Sequence, residues 1–597
     1  MCGFIGKISY ENFDYENVVK CNNLIECRGP DSLNSYSGEK NSLKYHFVFN
    51  RLSILDLSSE ANQPMVSNGG ESLIMFNGEI YNHRELRKKL EKNNVRFFTN
   101  HSDTETILNG IDIEGVNFID SLRGQFAIFY INFKQKKIIF ARDRLGQKPL
   151  FVNFDNKNLS FGSNLISVAK LSNNTSMDEE SIYEYLDCGI VSSPNTIFKN
   201  VKKLKPAEII EVDISSDQFT YTSKNYWEID KFVDNKPFDR NVFLDIFSEA
   251  VTLRTEADVE IANFISGGID SSSIAKNLND NNIDLNTFSV EIMDSKYDES
   301  KWSREVAEKY GTNHEAVQIN KNIEDNDIFD SLNSLDEPYA DPSIVPSYLL
   351  SKKIAAKYKV AISGDGGDEL LGGYKRLNNA MKSKSFIQNL YSGLYSFYPP
   401  QLGTGANILS FSKDTGISFS SFLFDEKFMS LLNLESKRKA YAEGVNNANE
   451  NKYKSLLISD YKLFLSEMMM LKVDRTSMAN SLEVRSPFVD HKLIEYILST
   501  KNSYFEIDRS KSLLKDYLLE DFNKDFVNRE KMGFIFDLET WVYSNINKIE
   551  KYFYDGIIVQ NFNKNILKNL SLKKSRLNAN RIWRILTLEY YISNLDF

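Results

Sequence analysis

The first two hundred residues alternate short apolar runs with Asn, Gly and Asp turns. FVFNRLSIL, SLIMFNGEIY, GQFAIFYINF and KKIIFARDR are apolar or alternating stretches of strand length, and they predict β-strands. Between them ELRKKLEKNN and DTETILNGI predict short helices, so this part reads as α plus β. From about residue 237 the order changes. EIANFI precedes SGGIDSSSIAKNL, LNTFSVEI precedes ESKWSREVAEKYG, and KVAI opens SGDGGDELLGG. Strand, loop and helix repeated in that order predict a parallel sheet with helices on both faces. Beyond about 380 the pattern is mostly helical, with aromatic stretches such as FIQNLYSGLYSFYPP. The Lys- and Asn-rich NKNILKNLSLKKSRLNANR predicts a solvated helical surface. The polar, weakly patterned DISSDQFTYTSKNYWEIDKFVDN places a linker between units 1–215 and 237–597.

Length and charge narrow the class. A chain of 597 residues exceeds what one hydrophobic core organises. No apolar run approaches the roughly 18 residues of a membrane span, and the start turns polar before any signal-peptide core develops. The expectation is a cytoplasmic protein with no membrane partner. A net charge of −10 speaks against a nucleic-acid partner. Cys2, Cys21, Cys27 and Cys188 form no CxxC pair, and the five histidines show no HExxH spacing, so neither a disulfide framework nor a zinc site is expected. Cysteine, carboxylates, lysine and phosphate-binding loops are left to carry the chemistry.

Position 2 holds the first such candidate. With Met1 removed, Cys2 carries a thiol and a free α-amine on one residue, and the amine, with a pKa of about 8, can serve as base to the thiol. Alone, Cys2 reads more readily as a small residue opening a strand. A thiolate attacking an amide also needs donors for the oxyanion and holders for the substrate. FNGEIYNH offers Asn77 and Gly78 as donors; Arg51 suits an α-carboxylate; Glu79 and Asp103 suit an α-ammonium. These groups fit glutamine.

In order, MCGFIG, RGPD (Arg28 to Asp31), RLSILD, NGEIYNH, SDTE, RGQFAI and ARDRLGQKPLF resemble the glutaminase domain of class II glutamine amidotransferases. The resemblance covers about 170 residues and implies an N-terminal-nucleophile sandwich of αββα layers. It further implies that Cys2 attacks the glutamine side-chain amide, releases ammonia and leaves a thioester for water. Arg51, Asn77, Gly78, Glu79 and Asp103 take their glutamine-binding roles by position. Two departures, Cys27 where the family usually has His and Gln147 where it usually has Ile, touch none of those roles.

Two glycine-rich turns lie downstream. SGGIDSS (Ser266 to Ser272) sits between a strand and a helix, where backbone N–H groups can surround an anion, and it lacks the GKS ending of a Walker loop. SGDGGDELLGGY carries Asp365, Asp368 and Glu369 after the strand KVAI. Acids beside a phosphate loop imply an intervening cation, and magnesium is the expectation. Together with LDEPYADPS, LKVDRTSMANSLEVRSPFVDH and NREKMGF, these turns resemble the ATP-pyrophosphatase domain of asparagine synthetases. The resemblance covers about 240 to 540, and 385–450 matches poorly. It implies an α/β parallel-sheet domain that binds ATP along Ser266, Gly267, Gly268, Asp270 and Ser271. Phe264 and Val290 fall near the adenine, and Ser363 and Gly364 near the ribose or α-phosphate. Asp270 and Asp368 are implied as Mg2+ ligands, Lys531 as a cation for the α-phosphate, and Asp365 as an acid needed to form or aminate the acyl-adenylate.

The two resemblances together imply a glutamine-dependent amidotransferase that adenylates a carboxylate with MgATP and aminates the acyl-AMP. Aspartate is the first expectation for the acceptor. A carboxylated sugar for surface polysaccharide is the alternative, and an inactive scaffold is the alternative of another class. The remaining expected partners are glutamine, ATP and, in a possible homodimer, a second copy. Apolar walls are expected at the interface the ammonia crosses.

Overall fold

The structure is a computed structural model. It describes residues 2–595 except 41, 285, 293–299, 320–322, 502–510, 530–535, 555, 557–559 and 561–564. The strands in chain order are β1 (Gly3–Ser9), β2 (Ser32–Lys40), β3 (Leu43–Arg51), β4 (Met65–Val66), β5 (Ser72–Ile80), β6 (Gly124–Asn132), β7 (Lys137–Arg142), β8 (Phe151–Phe154), β9 (Asn158–Gly162), β10 (Lys202–Lys203), β11 (Glu208–Asp213) and β12 (Thr220–Asn225), followed by β13 (Ile261–Phe264), β14 (Asn286–Ile292), β15 (Asn313–Ile319), β16 (Val360–Ile362) and β17 (Glu483–Arg485).

The first twelve build two antiparallel six-stranded sheets, ordered β10-β8-β9-β1-β3-β2 and β12-β11-β7-β6-β5-β4. Their facing sides are filled by Phe4, Phe47, Phe129, Phe140 and Phe161, with Phe129 and Phe161 stacked 4.2 Å apart. Alternation along each strand then leaves a second apolar row on the outer face. Val18 and Leu171, on helices Tyr15–Asn22 and Leu165–Leu171, cover Ile5 and Val48. Leu86, Leu90, Ile107 and Ile111, on helices His83–Lys92 and Asp103–Glu114, cover Ile74, Phe126 and Ile128. The result is an αββα sandwich.

β12 lies beyond the expected end of this unit at residue 215. All six of its residues are exposed, so it has no buried face to impose an apolar period, and its sequence reads as linker although its backbone pairs with β11 from Glu208↔Asn225 to Asp213↔Thr220.

The other five strands form one parallel sheet, ordered β15-β14-β13-β16-β17. Helices pack on both faces, one through Ala275, Val306, Leu518 and Phe526 and the other through Phe288, Val317 and Ile354. The remainder is helical. The basic tail departs from expectation: Lys573 and Lys574 are exposed, but helix Arg576–Ser593 buries Trp583, Ile585, Leu586 and Leu588. Trp583 shares a cluster with Tyr185 and Val201 of the first half, and Tyr185 donates to the Arg584 carbonyl at 2.9 Å. The solvated reading fits only the Lys-rich turn, because Ile566 and Leu570 before it and Asn578, Ala579 and Arg581 after it are buried.

Candidate active site

Cys2 leads into β1, in the interior of the first sheet, and is 7% exposed. Its N–H donates to Asn77 Oδ1 at 3.1 Å, across the gap from β5 of the second sheet. The Asn77 amide nitrogen Nδ2 is buried and makes no hydrogen bond among the described residues. An unsatisfied buried donor is costly, and this one belongs to the side chain that accepts from the Cys2 N–H. Gly78 follows because β5 runs so close to β6 that a Cβ there would meet the Gln125 carbonyl at 2.0 Å. A single pocket is lined by Cys2, Arg51, Gly78, Glu79, Asp103 and Glu483. Burial pushes the Cys2 thiol pKa up, with Arg51 opposing.

The pocket holds more acid than base. Arg485 Nη2 donates to Glu79 Oε2 at 3.0 Å and its Nε donates to Glu483 Oε1 at 2.6 Å. Asp103 accepts from the Ile80 N–H at 3.1 Å. Burial raises Glu79 well above the ordinary 4.5, Arg485 opposes, and Asp103 and Glu483 reinforce the rise. Burial likewise raises Asp103 to about 6. Glu483 goes the other way: burial would raise it, but cationic neighbours including Arg485 and Lys148 hold it at about 2. One guanidinium thus faces three carboxyl groups, and Glu79 Oε1 is buried without a partner among the described residues. An added ammonium would offset part of that excess.

Arg51, expected as a two-pronged substrate clamp, lines the same pocket. Its Nη1 donates to the Ser58 carbonyl and Asn62 Oδ1, both at 2.8 Å, and its Nη2 to the Leu55 carbonyl at 3.3 Å and the Asp56 carbonyl. Both prongs hold the 52–62 loop, which forms a pocket wall.

The second group of residues gathers at the ends of β13 and β16. After Phe264, which pairs with Phe288 two residues before Val290, the chain turns through Ser266 to Gly268 into helix Ile269–Asp280. Gly267 has φ +71°, and a Cβ would lie 2.5 Å from Trp302. The Ser266 hydroxyl accepts from the Gly268 N–H at 3.2 Å and lies 3.2 Å from the Ser271 hydroxyl. The other loop is pressed against it: a Cβ on Gly364 would sit 3.1 Å from the Ser271 nitrogen. Ser363 Oγ donates to Asp365 Oδ2 at 2.8 Å.

Asp270 and Asp368 converge on one cation, Lys511, at 2.6 and 2.5 Å. Lys511 has φ +57°, a left-handed conformation unusual for a non-glycine residue. Gly373 makes room: a Cβ would lie 1.9 Å from Asp368 Oδ1 and 2.5 Å from Lys511 Cε. Two carboxylates meeting at one point are hard oxygen donors of the kind Mg2+ takes alongside phosphate, so the residues fit the expected ion. Among the described residues no group of three or more His, Cys, Asp or Glu side chains is placed to hold a metal. Next to Asp368, Glu369 is 1% exposed and accepts from the Tyr374 hydroxyl at 2.9 Å. Burial, then Asp368 and Asp460, raise its pKa to about 7. Lys531 lies outside the described residues.

The two groups are joined through the sheet. Arg485, whose side chain reaches Glu79, offers its carbonyl to the Ser363 N–H at 2.9 Å, and the next residue, Ser486, donates its hydroxyl to the Asp365 carbonyl. Against the expectation of apolar walls, the interface is not apolar throughout. Leu52 and Ile54 pack on Val360 and Met478, but buried ion pairs run alongside: Arg28 with Asp474 at 2.9 Å, Lys203 with Glu337 at 2.8 Å and Arg123 with Asp490 at 2.9 Å. Such pairs fix register between surfaces that apolar contact alone leaves free to slide.

The sequence profile of the family described as Asparagine synthase matches residues 243–592, and that of the Glutamine amidotransferase domain matches 1–227. The chain belongs to the asparagine synthase family. It is 28% identical to asparagine synthetase [glutamine-hydrolyzing] 1 of Bacillus subtilis, over 98% of this chain and 95% of that one. It is 30% identical to the putative asparagine synthetase [glutamine-hydrolyzing] 2 of Methanocaldococcus jannaschii, over 80% and 98%. Within this asparagine synthase architecture four residues of the two groups escaped assignment from sequence. Glu483 and Arg485 sit in LEVRSPF, a segment that carries the resemblance, but nothing local shows that they reach a pocket 406 residues away along the chain. Lys511 has no glycine-rich turn beside it. Glu369 was visible as an acid after the second loop, without the burial that raises its pKa.

Proposed function

We propose that this member of the asparagine synthase family hydrolyses glutamine at Cys2 and uses the ammonia to amidate the side-chain carboxylate of aspartate, activated by ATP. With Met1 removed, the Cys2 α-amine takes the thiol proton while held by Asn77 Oδ1. Sulfur then attacks the glutamine amide carbon, Asn77 Nδ2 and the Gly78 N–H receive the oxyanion, and the Cys2 ammonium gives its proton to the departing nitrogen as the C–N bond breaks, leaving ammonia and a thioester that water cleaves. Glu79 and Asp103 receive the α-ammonium.

At the paired loops, Ser266 to Ser271 and Ser363 to Gly364 hold the nucleotide, and the acceptor carboxylate attacks the α-phosphorus. The bond to the β-phosphate oxygen breaks, releasing pyrophosphate and leaving an acyl-AMP. Asp270 and Asp368 would hold Mg2+, which supplies charge neutralisation for the phosphates. Lys511 neutralises those carboxylates until the nucleotide arrives. Ammonia displaces AMP at the acyl carbon, and Asp365 and Glu369 are the acids placed to handle its protons.

The observation that carries the reading is the construction of the thiol pocket from both halves: Arg485 binds Glu79 with its side chain and Ser363 of the nucleotide loop with its carbonyl. The test supplies MgATP and glutamine with candidate carboxylates one at a time and measures pyrophosphate. Release with aspartate is expected; release only with a sugar acid would overturn aspartate as acceptor.

A further inference from the structure

Helix Phe386–Gly393 is inside out. None of its residues is buried. Phe386, Ile387, Leu390 and Tyr391 are 76, 65, 64 and 54% exposed, and the ridge continues through Leu394 at 52% and Phe397 at 83%. Positions 386, 390 and 394, with 387 and 391, share one face of a helix. Gln388, Asn389 and Ser392 are the half-buried residues, and Asn389 Oδ1 accepts from the Lys413 N–H at 3.2 Å. The polar face is therefore the one turned to the protein. The helix is firmly started all the same, by a reciprocal pair in which Ser385 Oγ accepts from the Gln388 N–H at 3.2 Å and Gln388 Oε1 from the Ser385 N–H at 3.0 Å.

Charge identifies what covers this face. From Lys375 to Lys413 the chain carries Lys375, Arg376, Lys382, Lys384 and Lys413 and no Asp or Glu, within a protein of net charge −10. Arg376 is paired with Asp460 at 2.9 Å, and Lys384 donates to the Ser410 carbonyl at 2.7 Å. Lys382, just before the helix, and Lys413, whose N–H meets Asn389, lie exposed. Asp414 follows immediately and is bonded by the Asn446 amide at 2.9 Å. A lysine-flanked row of aromatic and aliphatic side chains matches the interface of an anionic bilayer, where a few apolar groups enter the acyl boundary and cations meet the headgroups. A second copy fits less well. Six side chains fall short of the roughly 20–30 residues a side that a stable protein interface uses, and a twofold contact would bring the same lysines together.

We propose that the 386–397 ridge docks this protein on the surface of membranes rich in anionic lipid. The eight-residue helix is about 12 Å long, so it lies on the bilayer and does not cross it.

The full-length protein is sedimented with vesicles of phosphatidylglycerol and phosphatidylcholine, and separately with phosphatidylcholine alone. Binding to the anionic vesicles is expected to exceed binding to the neutral ones by about tenfold or more. The F386S/F397S variant should lose binding to both, and K382E/K413E only the preference for anionic lipid. All four positions are exposed, so glutaminase activity and melting temperature should match the parent and certify folding. Sedimentation no greater than in the vesicle-free control would overturn the proposal. A concentration-dependent dimer in light scattering that F386S/F397S dissolves, without vesicle binding, would also overturn it and give the ridge to a second copy.

Discussion

Arg485 and Glu79, 406 residues apart, are joined by a 3.0 Å ion pair in which neither side chain is more than 3% exposed. Removing one partner of such a pair leaves a buried charge uncompensated, at about 3–5 kcal/mol. Arg485→Met is expected to lower stability by about that amount and to depress glutamine-dependent synthesis more than synthesis from ammonium salts. Thermal unfolding and the ratio of the two rates test this; an unchanged melting temperature with both rates intact would show the pair to be idle.

Cys2→Ala should reduce glutamine-dependent amidation by about a thousandfold or more, as loss of a nucleophile does, while added ammonium still supports synthesis. Mass spectrometry of the active parent should find the chain starting at Cys2. Full glutaminase activity in protein that keeps Met1 would refute the use of the α-amine as base.

Asp270→Asn is expected to stop pyrophosphate release and to spare glutaminase activity, because Asp270 lies with Asp368 and Lys511 and not in the thiol pocket. Gly373→Ala should reproduce the loss without changing a charge, since the added methyl would meet Asp368 Oδ1 at 1.9 Å. Wild-type pyrophosphate release in either variant would detach these carboxylates from the nucleotide.

The residues gathered around Cys2 were legible because each stands in a local signature: Cys2 at the start, Asn77 to Glu79 in NGEIYNH, Asp103 in SDTE. Long-range facts were not. Arg51 carries a guanidinium that suits a carboxylate, and only the folded loop shows its prongs taken by Ser58, Asn62, Leu55 and Asp56. Strands such as β3, β5, β6 and β7 announced themselves through buried apolar faces, whereas β12 has none. Helix Phe386–Gly393 has a clear apolar face, but periodicity does not tell whether that face meets protein or solvent.

Acid should loosen the contact between the halves. Asp474 is buried, which alone would raise its pKa, but Arg28, Lys148 and Arg475 hold it far below the ordinary 3.8. Glu483 is held at about 2 against 4.5. Groups with depressed pKa values add stability above their unfolded values and lose it as pH falls through the folded ones. The expected result is a melting temperature that drops between about pH 4.5 and 2, and less steeply in an Asp474→Asn variant that is already weaker at neutral pH. Parallel curves would exclude Asp474 as a source of the acid sensitivity.

Glu369 works with the opposite sign. Its pKa of about 7 exceeds the ordinary 4.5, so from pH 4.5 upward the unfolded chain has lost the proton that the folded protein keeps. The stability this group contributes is fully present below about 4.5 and is lost by pH 7, a change of about 3 kcal/mol for a shift of this size. Glu369→Gln cannot ionise, and its amide can still accept from the Tyr374 hydroxyl. The variant should gain stability relative to the parent as pH rises from 5 to 8, while pyrophosphate-coupled synthesis, which needs a group able to release and take a proton at this position, falls across the whole range. Denaturant midpoints at the two pH values, read with the synthesis rate, separate the effects. A midpoint difference that does not change with pH would mean that Glu369 is already ionised at pH 5 and does not exchange a proton near neutrality.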